Sequence, residues 1–221
     1  MKKNLTELVF ILDRSGSMHG LESDAIGGFN GMLQKQKALA GNALVTTVLF
    51  SDSATLLHDR TAIQGVEALT GRDYTAGGMT ALLDAVGSAI LKIQSAQDHT
   101  AELERPDKII FVITTDGQEN ASREFTQPRV KEMIQARQSQ NGWEFLYLGA
   151  NIDAVAAAKD IGIHAANAAN YVSDSAGTDT QYGAVSAALH QLRASAPLSA
   201  DWKAPLERDV QKRGRNTISK P

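Results

Sequence analysis

Short apolar runs alternate with amphipathic stretches along most of the chain. Residues 8–12 are apolar at every position, the pattern of a strand covered on both faces. Ala25, Ile26, Phe29, Met32 and Leu33 then recur at helical spacing. Residues 43–50 read as a second strand, and only Ser51, Asp52 and Ser53 separate them from a third at 54–57. A parallel return needs a crossover of a dozen or so residues, so these two strands are expected to form an antiparallel hairpin. A glycine-containing loop at 71–78 precedes a helix whose Leu82, Val86, Ala89, Ile90 and Ile93 share a face. Residues 107–114 form the clearest strand, followed by a helix after Pro128 that buries Val130, Met133 and Ile134. A strand at 143–148, an alanine-rich helix at 152–159 and a short edge strand at 169–172 come next. Tyr182, Val185, Leu189 and Leu192 mark a last helix.

Strands alternating with helices predict an α/β fold: a doubly wound, Rossmann-like, mainly parallel sheet with helices on both faces and one antiparallel edge hairpin strand. The 221 residues, 43% hydrophobic, suffice for one such domain, set at 1–196. Beyond Pro197 the apolar periodicity weakens and lysine and arginine accumulate. Residues 197–221 therefore read as a basic C-terminal tail, frayed and solvated, or alternatively a docking tail for an acidic partner.

A net charge of −3 gives no field that would gather nucleic acid or an anionic membrane surface. With no cysteine, disulfides, thiolate metal sites and cysteine nucleophiles are excluded. No run approaches the ~20 apolar residues of a membrane span. The apolar run at 8–12 falls short of the roughly 7–15 residues of a secretory core. The expectation is a soluble, cytoplasmic protein.

Two strands deliver an aspartate at their carboxyl ends, where open α/β sheets collect ligands: Asp13 after 8–12, and Asp116 after 107–114. A carboxylate at the tip of a buried strand needs a cation or hydrogen bonds to compensate it. Asp13 opens the run Asp-Arg-Ser-Gly-Ser, in which a turn through Gly16 lets Asp13, Ser15 and Ser17 face one centre. One carboxylate and two hydroxyls make a hard, all-oxygen ligand set, suited to Mg²⁺ or Mn²⁺, with Ca²⁺ also accommodated. Neutral hydroxyls would leave such an ion short of negative charge and open to an anionic ligand from outside the chain.

The Asp-x-Ser-x-Ser motif resembles the metal-ion-dependent adhesion site of the von Willebrand factor A family. The resemblance runs from about Leu5 to Leu192 and continues at Thr80, in Gly-Gly-Met-Thr, and at Asp116, in Thr-Asp-Gly. The family often places its threonine directly after the glycine pair, whereas Met79 intervenes here. The resemblance implies that Asp13, Ser15, Ser17, Thr80 and Asp116 hold Mg²⁺ (or Mn²⁺) directly or through water. It also implies that an aspartate or glutamate of another protein completes the shell. The chain would then be a single-domain member of bacterial, cytoplasmic type: a non-catalytic adaptor or assembly factor.

Other chemistries find less support. A haloacid-dehalogenase-like phosphatase could use Asp13 as nucleophile, but it wants a second carboxylate where Ser15 stands. A scaffold with a vestigial metal site is the remaining alternative. Neither a dinucleotide fingerprint nor a P-loop occurs. His19, near the motif, reads as a rim residue. Glu119, Asn120 and Arg123 read as a polar loop or a specificity rim, Asn151 and Asp153 as helix caps, and Asp84 as a solvated helix position or a support for Thr80.

Overall fold

The computed structural model of the chain describes residues 2–217. Its sheet has six strands in the order β3-β2-β1-β4-β5-β6. In chain order these are β1 (Lys2–Asp13), β2 (Asn42–Phe50), β3 (Ala54–Ala62), β4 (Pro106–Thr115), β5 (Glu144–Gly149) and β6 (Ala168–Asn170). Every pairing is parallel except β2 with β3, the expected hairpin. That strand runs further than the apolar pattern at 54–57 suggested, because its outer half is polar. It continues past a register shift opposite Thr47 to Ala62.

Successive side chains on a strand face opposite ways, and each face of the sheet has its own layer of helices. Leu8, Phe10 and Leu12 pack with Phe29, Met32 and Leu33 of α1 (Glu22–Lys37) and with Val185 and Leu189 of α5 (Ser175–Arg193). Val9 and Ile11 pack on the other side with Val86 and Ile90 of α2 (Leu82–Asp98) and Val130 and Ile134 of α3 (Gln127–Asn141). Ala158 of α4 (Ala154–Asp160) joins the same cluster. The fold is thus α/β and doubly wound. β1 lies between β2 and β4, so the chain reverses its direction of travel across the sheet at the β1–β4 boundary. A crevice opens there at the carboxyl ends of the strands.

The basic segment after Pro197 differs from its expected frayed form. A 3₁₀ turn at Ala200–Lys203 leads into α6 (Ala204–Thr217), and both pack on the α5 side of the sheet. Trp202 and Leu206 are buried in the core there, and the Trp202 indole donates to the Ala166 carbonyl at 2.8 Å. Trp202, Leu206 and Val210 recur every fourth residue, enough for one apolar stripe on an otherwise charged helix. Residues 218–221 of that segment lie outside the described residues. Among the described residues, no helix is long and apolar enough to cross a membrane.

Candidate metal centre

Three loops meet at the carboxyl edge of the sheet. The first leaves β1 after Asp13, the second precedes α2, and the third leaves β4 after Thr115. Backbone bonds join them before any side chain does. Gly77 N–H donates to the Arg14 carbonyl at 2.9 Å, and Gly16 N–H to the Gly78 carbonyl at 3.0 Å. Asn120 N–H donates to the Thr80 carbonyl at 3.0 Å, while the Asn120 side-chain oxygen accepts from Thr80 N–H at 2.9 Å. This reciprocal pair fixes the peptide of Thr80 against the third loop.

The expected site residues come together in this arrangement. Asp13, Ser15, Thr80 and Asp116 are buried, with Ser17 exposed at the rim. Asp13 Oδ1 accepts from Ser15 N–H at 2.7 Å, and its Oδ2 accepts from the Thr115 hydroxyl at 2.6 Å. The Ser15 and Ser17 hydroxyls lie 3.1 Å apart, and Ser17 Oγ donates to Asp116 Oδ1. Thr80 reaches the same point from the second loop. A methyl group placed on Gly117 would sit 3.5 Å from Ser17 Oγ and 3.6 Å from Thr80 Oγ1.

The electrostatics are unbalanced. Burial raises the Asp116 carboxyl above the usual carboxylate range, the Ser17 hydrogen bond pulls it back, and the nearby Asp13 raises it again. Two buried carboxylates thus share one polar cluster, and among the described residues the main influences on Asp116 are burial, hydroxyl hydrogen bonds and Asp13. Neutral donors alone compensate this charge only in part. The donor set fits a small hard cation: two carboxylates, three hydroxyls and no nitrogen or sulfur ligand. Among the described residues no group of three or more His, Cys, Asp or Glu side chains could hold a metal, so any ion here would depend on the hydroxyls.

The fold has counterparts among solved structures. A D319A mutant of the PilB minor pilin from Streptococcus sanguinis aligns with 89% of this chain, at a TM-score of 0.60 and 12% identity. A von Willebrand factor type A structure from Catenulispora acidiphila aligns with 86% of it, at 0.53 and 16%. Proximal thread matrix protein 1 from the mussel byssus, with a zinc-occupied MIDAS motif, aligns with 82% of it, at 0.54 and 15%.

The chain has a von Willebrand factor A fold.

It spans 64%, 43% and 44% of those chains respectively, less than two thirds of each. No protein-family model and no curated protein matches the sequence. Met79, which stands between the glycine pair and Thr80, is accommodated by the turn. Gly78 adopts φ +80°, a conformation that favours glycine, and a Cβ there would press on the Asp52 carboxylate. Asp52 Oδ1 then accepts from Met79 N–H at 3.0 Å, and Met79 is left 49% exposed on the rim.

Several residues serve the site in ways their sequence positions did not suggest. Glu119 braces the loop: its carboxylate accepts from the backbone N–H groups of Leu83, Ala121 and Ser122 and from the Ser122 hydroxyl. Asp84 supports Thr80 only indirectly, through the loop after β4, where it accepts from the N–H groups of Arg123, Glu124 and Phe125. These two carboxylates cross-brace the first turn of α2 and the third loop, holding Thr80 and Asp116 in mutual register. The Tyr74 hydroxyl donates to the Asp13 carbonyl, pinning the end of β1. Asp153 caps α4 through Ala156 N–H at 3.0 Å, whereas Asn151 adopts φ +57° and its side-chain amide donates to the Asp116 carbonyl at 3.3 Å. Ser173, after β6, adds a 3.4 Å hydrogen bond to Asp116 Oδ2. His19 is exposed and lies 3.4 Å from Glu22.

Proposed function

We propose that this chain is a divalent-metal-dependent protein-binding module that acts as an adaptor or assembly factor. Asp13, Ser15, Ser17, Thr80 and Asp116 would hold Mg²⁺ (or Mn²⁺), directly or through water. The bound ion would supply a Lewis-acidic position open to a carboxylate from another protein. The reading rests on one observation above all: two buried carboxylates, Asp13 and Asp116, share one cluster ringed by hydroxyls from separate loops.

The chain's own residues have distinct parts in this. Thr115 and the Ser15 N–H occupy both oxygens of Asp13 and fix its orientation. That engagement, with Ser15 standing two residues on where a phosphatase would need an acid, favours binding over phosphoryl transfer from Asp13. Ser17, at the exposed rim, marks the side from which a partner would approach. Glu119 and Asp84 keep the second and third loops together whether or not a ligand is present.

Mn²⁺ titration followed by water-proton relaxation tests the proposal. Wild-type protein should show tightly relaxing, protein-bound Mn²⁺, and added acetate, as a free carboxylate probe, should lower the enhancement by displacing metal-bound water. Asp13→Ala and Asp116→Ala, shown to be folded by circular dichroism, should lose the bound signal. Wild-type protein without bound Mn²⁺, or either variant binding it equally well, would overturn the reading.

A further inference from the structure

Beside the metal centre, a cavity of about 330 Å³ opens between α2, α3 and α4. Leu82, Leu83, Ile152, Ala156 and Ile161 form its apolar walls, and the nearly inaccessible Tyr147 lies at its base. It is at the small end of the roughly 300–1,000 Å³ typical of ligand pockets. Gly117 connects it to the site: the same residue lines the cavity and abuts the Ser17 and Thr80 hydroxyls. Because Gly117 has no side chain, only its backbone stands between the cavity and the point those hydroxyls share.

The chemistry of the two compartments differs. The metal centre is polar and would receive an anionic group. The cavity is walled by aliphatic side chains, and its acidic residues are Glu119, Asp153 and Asp160. Glu119 and Asp153 are already engaged by backbone N–H groups, so they neither require a cation nor tolerate an added anion. A carboxylate is therefore favoured at the metal and disfavoured in the cavity, while an uncharged apolar group suits the cavity alone.

We propose that the module recognises a two-part feature on its partner: an acidic residue for the metal and, close to it in the same segment, an apolar residue of leucine or phenylalanine size that fills this cavity. The inference rests on the binding function proposed above and adds the specificity element. It explains why acidic residues in general would not suffice as ligands. The metal supplies attraction for any carboxylate, and the cavity selects among them by what lies alongside.

The test is selection of short random peptides displayed on phage against the wild-type protein in Mg²⁺, followed by affinity measurement with the enriched peptides. Enriched sequences should pair Asp or Glu with a nearby Leu, Ile, Phe or Met. Replacing that apolar residue with Ala should weaken binding roughly tenfold or more, as expected from burial of one such side chain. Ala156→Trp, at an exposed position of α4 on the cavity wall, should weaken binding similarly while leaving Mn²⁺ affinity unchanged. Ala156→Leu, a smaller plug, should do the same to a lesser degree and guards against misfolding of the tryptophan variant. Metal-dependent peptides that carry an acid but show no apolar preference, and bind both plugged variants normally, would refute the cavity's role while leaving the metal-binding module intact. Peptides that bind equally in EDTA, or no enrichment at all, would refute the two-part feature, and the Mn²⁺ titration would then decide separately whether the module reading survives.

Discussion

β1 carries two buried carboxylates on one face, Glu7 midway along it and Asp13 at its end, and the protein treats them in opposite ways. Glu7 is fully buried and internally neutralised. Arg60 Nε donates to both of its oxygens, at 2.8 and 3.1 Å, and the Gln97 amide adds a third bond at 3.2 Å. To deliver that guanidinium, β3 carries a register irregularity and Arg60 itself adopts φ +47°, a conformation that non-glycine residues rarely take. Among the described residues Asp13 receives hydrogen bonds but forms no ion pair, and it has a second carboxylate, Asp116, close by. One strand thus contains both answers to a buried negative charge. Where the carboxylate is structural, the chain supplies the counter-charge at the expense of strained backbone. At the crevice it meets the charge with neutral hydrogen-bond donors, which compensate it only in part, as a site that receives a cation from outside would.

Removing the internal counter-charge should have the largest effect. Arg60→Ala strands Glu7 in the interior, and breaking a buried pair from one side costs about 3–5 kcal/mol. Urea unfolding at neutral pH should show the midpoint fall accordingly, whether or not Mg²⁺ is present. A loss below about 1 kcal/mol, the range of an exposed ion pair, would mean that Glu7 is not held as a charged group, and the contrast between the two carboxylates of β1 would collapse.

The complementary effect belongs to the other carboxylate. If the crevice awaits a cation, Mg²⁺ must stabilise the folded chain by mass action, by about 2.7 kcal/mol when its free concentration is about 100 times the dissociation constant. The increment should persist in Arg60→Ala, because distant sites without shared partners act independently. It should vanish in Asp116→Ala. Without metal, that same variant should unfold no more easily than wild type, since it relieves the pairing of Asp116 with Asp13. Melting temperatures of the three proteins, each in Mg²⁺ and in EDTA, separate these outcomes.

Much of this architecture can be read from local sequence. Strands such as those around 8–12 and 109–113 are continuous apolar runs, and the candidate ligands Asp13, Ser15 and Ser17 lie within one short turn, so spacing alone groups them. What could not be read depends on distant partners. Glu7 stands just before the apolar run 8–12 and nothing local marks it as buried; its partner Arg60 lies two strands away and no local rule joins them. Asp84 and Glu119 are ordinary acidic positions in sequence; their roles appear only once α2 and the loop after β4 are adjacent. The last helix, α6, was legible in principle. The spacing of Trp202, Leu206 and Val210 marks its buried stripe, but the density of charge around them suggested a solvated tail instead.

The smallest expected effect concerns pH, and it distinguishes neutralisation from mere burial at Glu7. Burial raises the Glu7 carboxyl above its ordinary value, and the Arg60 hydrogen bond and charge offset this only in part. The folded protein therefore holds that proton more tightly than the unfolded chain does. Stability from this group is complete below the unfolded value, near 4.5, and declines as pH rises through the higher folded value. Glu7→Gln keeps the shape and a hydrogen-bond acceptor for Arg60 but cannot titrate. Its stability should lack this decline, so the gap between variant and wild type should change across the mildly acidic range and level off above it. Unfolding free energies at a series of pH values, all in EDTA to silence the crevice, would show it. Parallel wild-type and Glu7→Gln curves would mean that Arg60 cancels the burial penalty completely, making Glu7 more fully neutralised than its surroundings indicate and sharpening its difference from Asp13.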